Sequence, residues 1–146
     1  MKILVIDAQG GGIGRAAVHA LKENFPDAEL TAVGTNTVAT SAMLKAGADH
    51  AATGENSVVV CARDADFIVG PIGIVIADSM FGEITPRMAT AIGQSNGDRI
   101  LIPVYHCKNT VVGVQSYSID SLIQSAVDEI RNRLKGCGST KAPQKN

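Results

Sequence analysis

Aromatic residues are scarce: three Phe, two Tyr and no Trp. Bases therefore have little to stack on, no block of Lys and Arg stands out, and the formal net charge is −1. Nucleic-acid binding is disfavoured on both counts. The cysteines, Cys61, Cys107 and Cys137, are odd in number and form no C-x-x-C pair. Neither a disulfide framework nor a zinc knuckle is expected, and no metal site is predicted. No apolar run approaches the roughly 20 residues that span a bilayer, and the N-terminal apolar stretch is too short for a secretion signal. The expectation is a cytoplasmic protein with no membrane partner. With 45% hydrophobic and only 18% charged residues, the 146 positions suit one folded domain with a full core.

What is present is a glycine-rich turn near the start. Ile3 to Ile6 form a short apolar run suited to a strand buried on both faces. Gly10, Gly11, Gly12 and Gly14 follow, and a helical pattern begins directly after them. A strand, a glycine turn and a helix start in that order make a phosphate cradle: the glycines let a ligand reach the backbone, and the helix start offers unpaired N–H groups. The strict G-x-G-x-x-G spacing does not fit. Aligned on Gly12-Ile13-Gly14, the segment resembles the T-G-x-x-x-G-I-G turn of short-chain dehydrogenases, with Asp7 in the Thr position and Ala8 in the first Gly position. No Lys-Ser or Lys-Thr pair follows Gly14, which argues against a Walker A loop. A tight turn that binds nothing is the plainer alternative.

Further along, Ile13, Ala17, Leu21 and Phe25 recur every four residues and predict a helix over 12–24, ended by Pro26. A second strand is expected over 28–34, a helix from the Thr35–Thr37 turn to Ala46, and a third strand over 50–53. Residues 57–63 read as a short helix. A fourth strand over 67–70 is broken by Gly70-Pro71-Ile72-Gly73, and 74–80 reads as a buried helix. Thr85-Pro86 starts a helix running to about Ser95. Strands are expected over 100–104 and 111–114. So few residues separate these two that they should pair antiparallel at a sheet edge. A long amphipathic helix after Ser118 closes at Gly136. There are no internal repeats. The expected architecture is a three-layer, Rossmann-like α/β domain over 1–135. Its mostly parallel sheet has about five strands plus a C-terminal antiparallel edge strand. Residues 136–146 are expected to be a disordered tail.

In such sheets ligands bind beyond the carboxyl ends of the strands. That rule selects Asp7, Gln9, Gly10, Gly11, Gly12, Ile13 and Gly14 after the first strand, and Thr35 and Asn36 after the second. It adds Gly70, Pro71 and Ile72 after the fourth, and His106 after the fifth. The end of strand two carries no carboxylate for the ribose hydroxyls of NAD, so NADP or a smaller nucleotide is less disfavoured. Thr35 and Asn36 also suit a plain helix cap. Tyr-x-x-x-Lys, the dehydrogenase catalytic pair, is absent: Tyr105 precedes Asn109 at that spacing, and Tyr117 precedes Ser121. Asp78, Ser79 and Glu83 could reach the rim, although solvated polar positions are the default.

Three segments together carry a family likeness: Asp7 to Gly14, Gly70 to Met80, and Gly82 to Pro86. The chain resembles short, uncharacterised bacterial proteins of a domain of unknown function. These carry D-x-Q-G-G-G-I-G and G-P-I-G-I-x-I-A-[ND]-S-M-x-G-E-I-T-P, and the likeness extends over most of 1–135. The resemblance implies a Rossmann-like fold and a bacterial origin, but no reaction.

The leading expectation is a protein that binds a nucleotide or other phosphorylated small molecule at Gly10–Gly14. One rival is an NADP-dependent oxidoreductase whose catalytic acid is unidentified. Another is a non-catalytic regulatory or scaffold subunit. The nearly continuous apolar stretch 67–81 exceeds what one buried strand needs, which points to a homodimer surface or to a central helix.

Overall fold

The computed structural model describes residues 1–104, 108–115 and 117–136. Its centre is β1 (Lys2–Asp7), with every residue after Lys2 buried. Ile3 and Val5 point to one face of the sheet and Leu4 and Ile6 to the other, each into its own apolar cluster. A strand covered on both sides alternates faces without alternating polarity, which is why the sequence reads as an unbroken apolar run.

β1 pairs in parallel with β2 (Glu29–Gly34) on one side and β4 (Phe67–Pro71) on the other. The outer strands are β3 (His50–Thr53) beside β2 and β5 (Asp98–Ile102) beside β4. The order is β3-β2-β1-β4-β5, with all pairs parallel. The strand order therefore reverses between β1 and β4, and the carboxyl ends of those two strands frame a crevice.

Helices α1 (Gly12–Asn24), α2 (Thr37–Lys45) and α5 (Ile119–Gly136) cover one face. Helices α3 (Glu55–Cys61) and α4 (Pro86–Gly93) cover the other. α1 buries Gly14, Ala17, Val18 and Leu21. α5 buries Ile123, Ala126, Val127 and Ile130, the stripe its spacing predicts. α2 is capped by Asn36, whose side chain accepts the Ala39 amide at 2.9 Å. α4 is capped by Thr85 with Pro86 at its first position, as expected.

Three expectations need correction. No antiparallel edge strand forms over 111–114. Val112 and Gly113 make a turn, Gly113 has φ +85°, and Val112 is 94% exposed. The fifth strand also stops at Ile102 rather than Val104, because Pro103 has no N–H to continue the ladder. Residues 74–80 are not a helix. A single 3-10 turn covers Ile72–Val75, and the chain then bends through Asp78, Met80, Phe81 and Gly82, all at positive φ. The short helix expected over 57–63 does exist, shifted to Glu55–Cys61. Residues 137–146, expected to form the tail, lie outside the described residues.

Candidate functional site

β1 delivers Asp7 to the crevice as its last residue, 4% exposed. The chain then turns through Gln9 (φ +52°) and Gly11 (φ +72°) into α1. Three of the four glycines at this corner differ in what a side chain would meet. Gly11 needs the left-handed conformation, and a β-carbon there would lie 2.7 Å from the Ala39 Cα of α2. A β-carbon on Gly14 would lie 2.6 Å from Met43 Sδ and 2.7 Å from Asp7 Cβ, so this glycine lets α1 lie against β1. Gly12 has nothing within 4 Å of a β-carbon. Gly12 thus faces open space at the helix start, as Gly10 does in the turn before it.

The Asp7 carboxylate turns into this corner. Oδ1 accepts the Ala8 amide at 2.8 Å, and Oδ2 accepts the Gly14 amide of α1 at 2.7 Å. Part of the anion cradle at the helix start is therefore filled by the protein's own carboxylate. Burial pushes the Asp7 pKa above its ordinary value. The hydrogen bonds from Gly14 and Ala8 oppose that shift, and the nearby Glu83 carboxylate adds to it.

Glu83 reaches the same loop from the segment after β4. Oε2 accepts the Gln9 amide at 2.6 Å, and Oε1 accepts Asn36 Nδ2 at 2.9 Å. Asn36 Nδ2 also donates to the Gln9 carbonyl at 2.9 Å. A closed ring of Gln9, Asn36 and Glu83 thus ties together the ends of β1 and β2. The turn that carries Glu83 is fixed by Asp78 N donating to Ile84 O at 2.8 Å. Ser79 Oγ, buried, donates to the Gly73 carbonyl.

Between the ends of β1 and β4 lies a cavity of about 170 Å³. Residues 7–13 form one wall, and Pro71, Ile72 and Gly73 form the opposite wall. Ile76, Met80, Pro103, Val104, Asn109 and Val111 complete the described lining. Among the described lining, Asp7 is the one charged residue, and there is no Lys, Arg or His. Among the described residues, the amides of Gly10 and Gly12 have no acceptor in the protein, whereas those of Gly11 and Gly14 do.

The structure brings Asp7, Gln9, Gly10, Gly11, Gly12, Ile13, Pro71 and Ile72 to one cavity. It keeps Gly14 behind them as a packing residue and uses Asn36 as a cap and latch. Gly70 is packed against the Ile6 carbonyl, which leaves no room for a side chain. Thr35 gives its amide to the Asp7 carbonyl at 3.1 Å, and its hydroxyl is buried without a partner among the described residues. His106 lies outside the described residues, as do Tyr105 and Cys107. Met80 and Val111 are not candidates from the sequence, because 74–80 reads there as a buried helix and 111–114 as an edge strand, whereas the structure makes both segments turns. Asn109 lies between β5 and Val111. No group of three or more His, Cys, Asp or Glu side chains stands ready for a metal among the described residues. No helix among them is long and apolar enough to cross a membrane.

Comparison with known proteins places this geometry. Residues 2–135 match the family described as Domain of unknown function (DUF3842), and the chain belongs to that family. No curated protein matches it significantly. Among solved structures it is similar to the dodecameric FMN-dependent Ubix-like decarboxylase from Escherichia coli O157:H7. That likeness has a TM-score of 0.51 at 15% identity and covers 100% of both chains. It establishes a shared α/β fold with a parallel sheet flanked by helices.

Proposed function

We propose that this chain binds a mononucleotide-like small molecule in the β1–β4 crevice. Its phosphate would rest on the Gly10 and Gly12 amides, and its apolar ring system would lie between Ile72, Ile76, Met80 and Val111. The observation that carries the reading is the pair of unclaimed glycine amides at the mouth of an otherwise apolar cavity. Unpaired amides at a helix start favour an anion, and apolar walls favour a ring.

Size argues for a mononucleotide rather than a dinucleotide. The cavity of about 170 Å³ is small beside ordinary ligand sites of about 300–1,000 Å³, so even a mononucleotide would extend out of it, and a dinucleotide is still less favoured. The Gln9–Asn36–Glu83 ring also occupies the ends of β1 and β2, where the adenosine half of a dinucleotide runs in doubly wound sheets. A carboxylate there opposes the extra phosphate of NADP. FMN, named for the structural neighbour, is a mononucleotide of this kind, although it belongs to that protein. No reaction is proposed, since the described lining holds one titratable side chain and no nucleophile–base pair.

Titration of purified protein with FMN and with AMP, followed by flavin fluorescence and calorimetry, tests the reading. Binding of either is expected. Gly12→Val should weaken it at least about tenfold while the fold survives, because the new side chain projects into open space. Failure of both ligands to bind the wild type, or unchanged binding by folded Gly12→Val, would remove the reading.

A second reading concerns assembly. Phe81 is 99% exposed beside the cavity-lining Met80, and Val112 is 94% exposed beside the cavity-lining Val111. Two large apolar side chains at the rim suit closure of the crevice by another copy of the chain. The neighbour's dodecameric state supports this proposal.

A further inference from the structure

The glycine corner already holds two anions. Asp7 takes the Gly14 amide and Glu83 takes the Gln9 amide, at 2.7 and 2.6 Å. The amides left over, on Gly10 and Gly12, lie within the same loop. A phosphate seated on them would stand beside both carboxylates with no cation in the described lining to offset the charge. Charge repulsion at such separations is strong even near a surface, and stronger where water is excluded.

Several elements pack around Asp7. α1 presents amides, α2 presents Met43, β2 presents the Thr35 amide, and the β4 end presents Gly70 to Gly73. None of these carries a charge. Among the described residues, the one titratable group that faces Asp7 is Glu83. Among the described residues, the charge of the ligand's head group is therefore set against these two carboxylates.

We infer that Asp7 is a specificity-determining residue that selects the charge of the head group: the crevice takes a singly charged phosphate in preference to a doubly charged one. Because the second ionisation of a phosphate monoester lies near pH 6, binding above that pH takes up one proton. The proton resides on the phosphate, which removes one of the charges facing Asp7 and Glu83. This inference rests on the binding reading above and adds the ligand's charge class to it.

The test measures FMN and riboflavin affinity for wild type and Asp7→Asn at about pH 5 and about pH 8. Wild type should bind FMN about tenfold more tightly at the lower pH, while riboflavin, which lacks the phosphate, should change less than about twofold. Asp7→Asn should bind FMN about tenfold more tightly than wild type at the higher pH and should lose most of the pH dependence. FMN affinity that ignores both pH and Asp7 overturns the inference while leaving the binding reading intact. Absence of FMN binding by either protein at either pH overturns both. Asp7→Asn removes a buried acceptor, so its melting is checked first. If it does not fold, Glu83→Gln serves instead and should raise FMN affinity at the higher pH about threefold. No gain in that variant also overturns the inference.

Discussion

Asp7 and Gly14 are fitted to each other twice. The Gly14 amide donates to Asp7 Oδ2 at 2.7 Å, and the missing Gly14 side chain would have met Asp7 Cβ at that same distance. One contact aligns α1 on β1 electrostatically, and the other lets the two come close enough for it.

Gly14→Ala should therefore cost about 1–3 kcal/mol, since a methyl group is forced against strand and Met43 alike. Gly12→Ala should be within about 0.5 kcal/mol of wild type, because that position is open. Denaturant unfolding of the two variants checks this. Equal costs would mean that α1 stands off from β1.

Stability should respond to pH with opposite signs at two aspartates. The folded pKa of Asp7 is raised above 3.8, chiefly by burial, so its stabilising contribution is full below 3.8 and is lost as pH rises through the folded value. The folded pKa of Asp49 is lowered by the Leu30 amide and by Lys22. Its contribution is present above 3.8 and is lost as pH falls through the lowered folded value. Melting temperatures followed across this range should show the Asp7→Asn variant gaining on wild type as pH rises. The Asp49→Asn variant should gain on wild type as pH falls. Parallel curves for all three proteins would contradict both assignments.

Glu83→Ala should free the Gln9 amide and leave Asn36 Nδ2 only its bond to the Gln9 carbonyl. A cost of about 1–3 kcal/mol is expected for losing hydrogen bonds to a charged acceptor. The sharper readout is hydrogen exchange. The Gln9 amide should exchange much faster in the variant, whereas Val5 in the centre of the sheet should not change. Unaltered Gln9 protection would show that Glu83 does not hold the loop in solution.

Phe81→Ser should leave the melting temperature of dilute protein unchanged, since the side chain is 99% exposed. Light scattering at high concentration should show self-association by wild type and less by the variant. A monomeric wild type would end the proposal that another copy closes the crevice.

The parts legible in the sequence are those whose shape is set locally. The Ile3–Ile6 run, the glycine corner and α1 over Gly12–Asn24 follow from apolar period, glycine placement and Pro26. α5 follows from its stripe in the same way. The segment from Ile72 to Ile84 was not legible, because tertiary bonds hold it. Three non-glycine residues there sit at positive φ, and Glu83 and Ile84 find partners far away or across a turn. Val111 to Val114 has strand propensity, but a turn at Gly113 and a place beside the cavity override it. Ile13 shows the same competition within one residue. Its spacing assigns it to the apolar face of α1, yet it is only partly buried and also lines the crevice.

The central position of β1 has a consequence for the order in which the chain acquires its shape. Ile3 lies in register with Leu30 on one side and Phe67 on the other, and every ladder is parallel. No neighbouring strands can zip together through a short hairpin. During synthesis β1 emerges with both faces apolar and before either of its partner strands. It stays half-paired until the chain has grown beyond β4. A sheet built this way closes around β1 only after β4 has been added, so the crevice between β1 and β4 forms late.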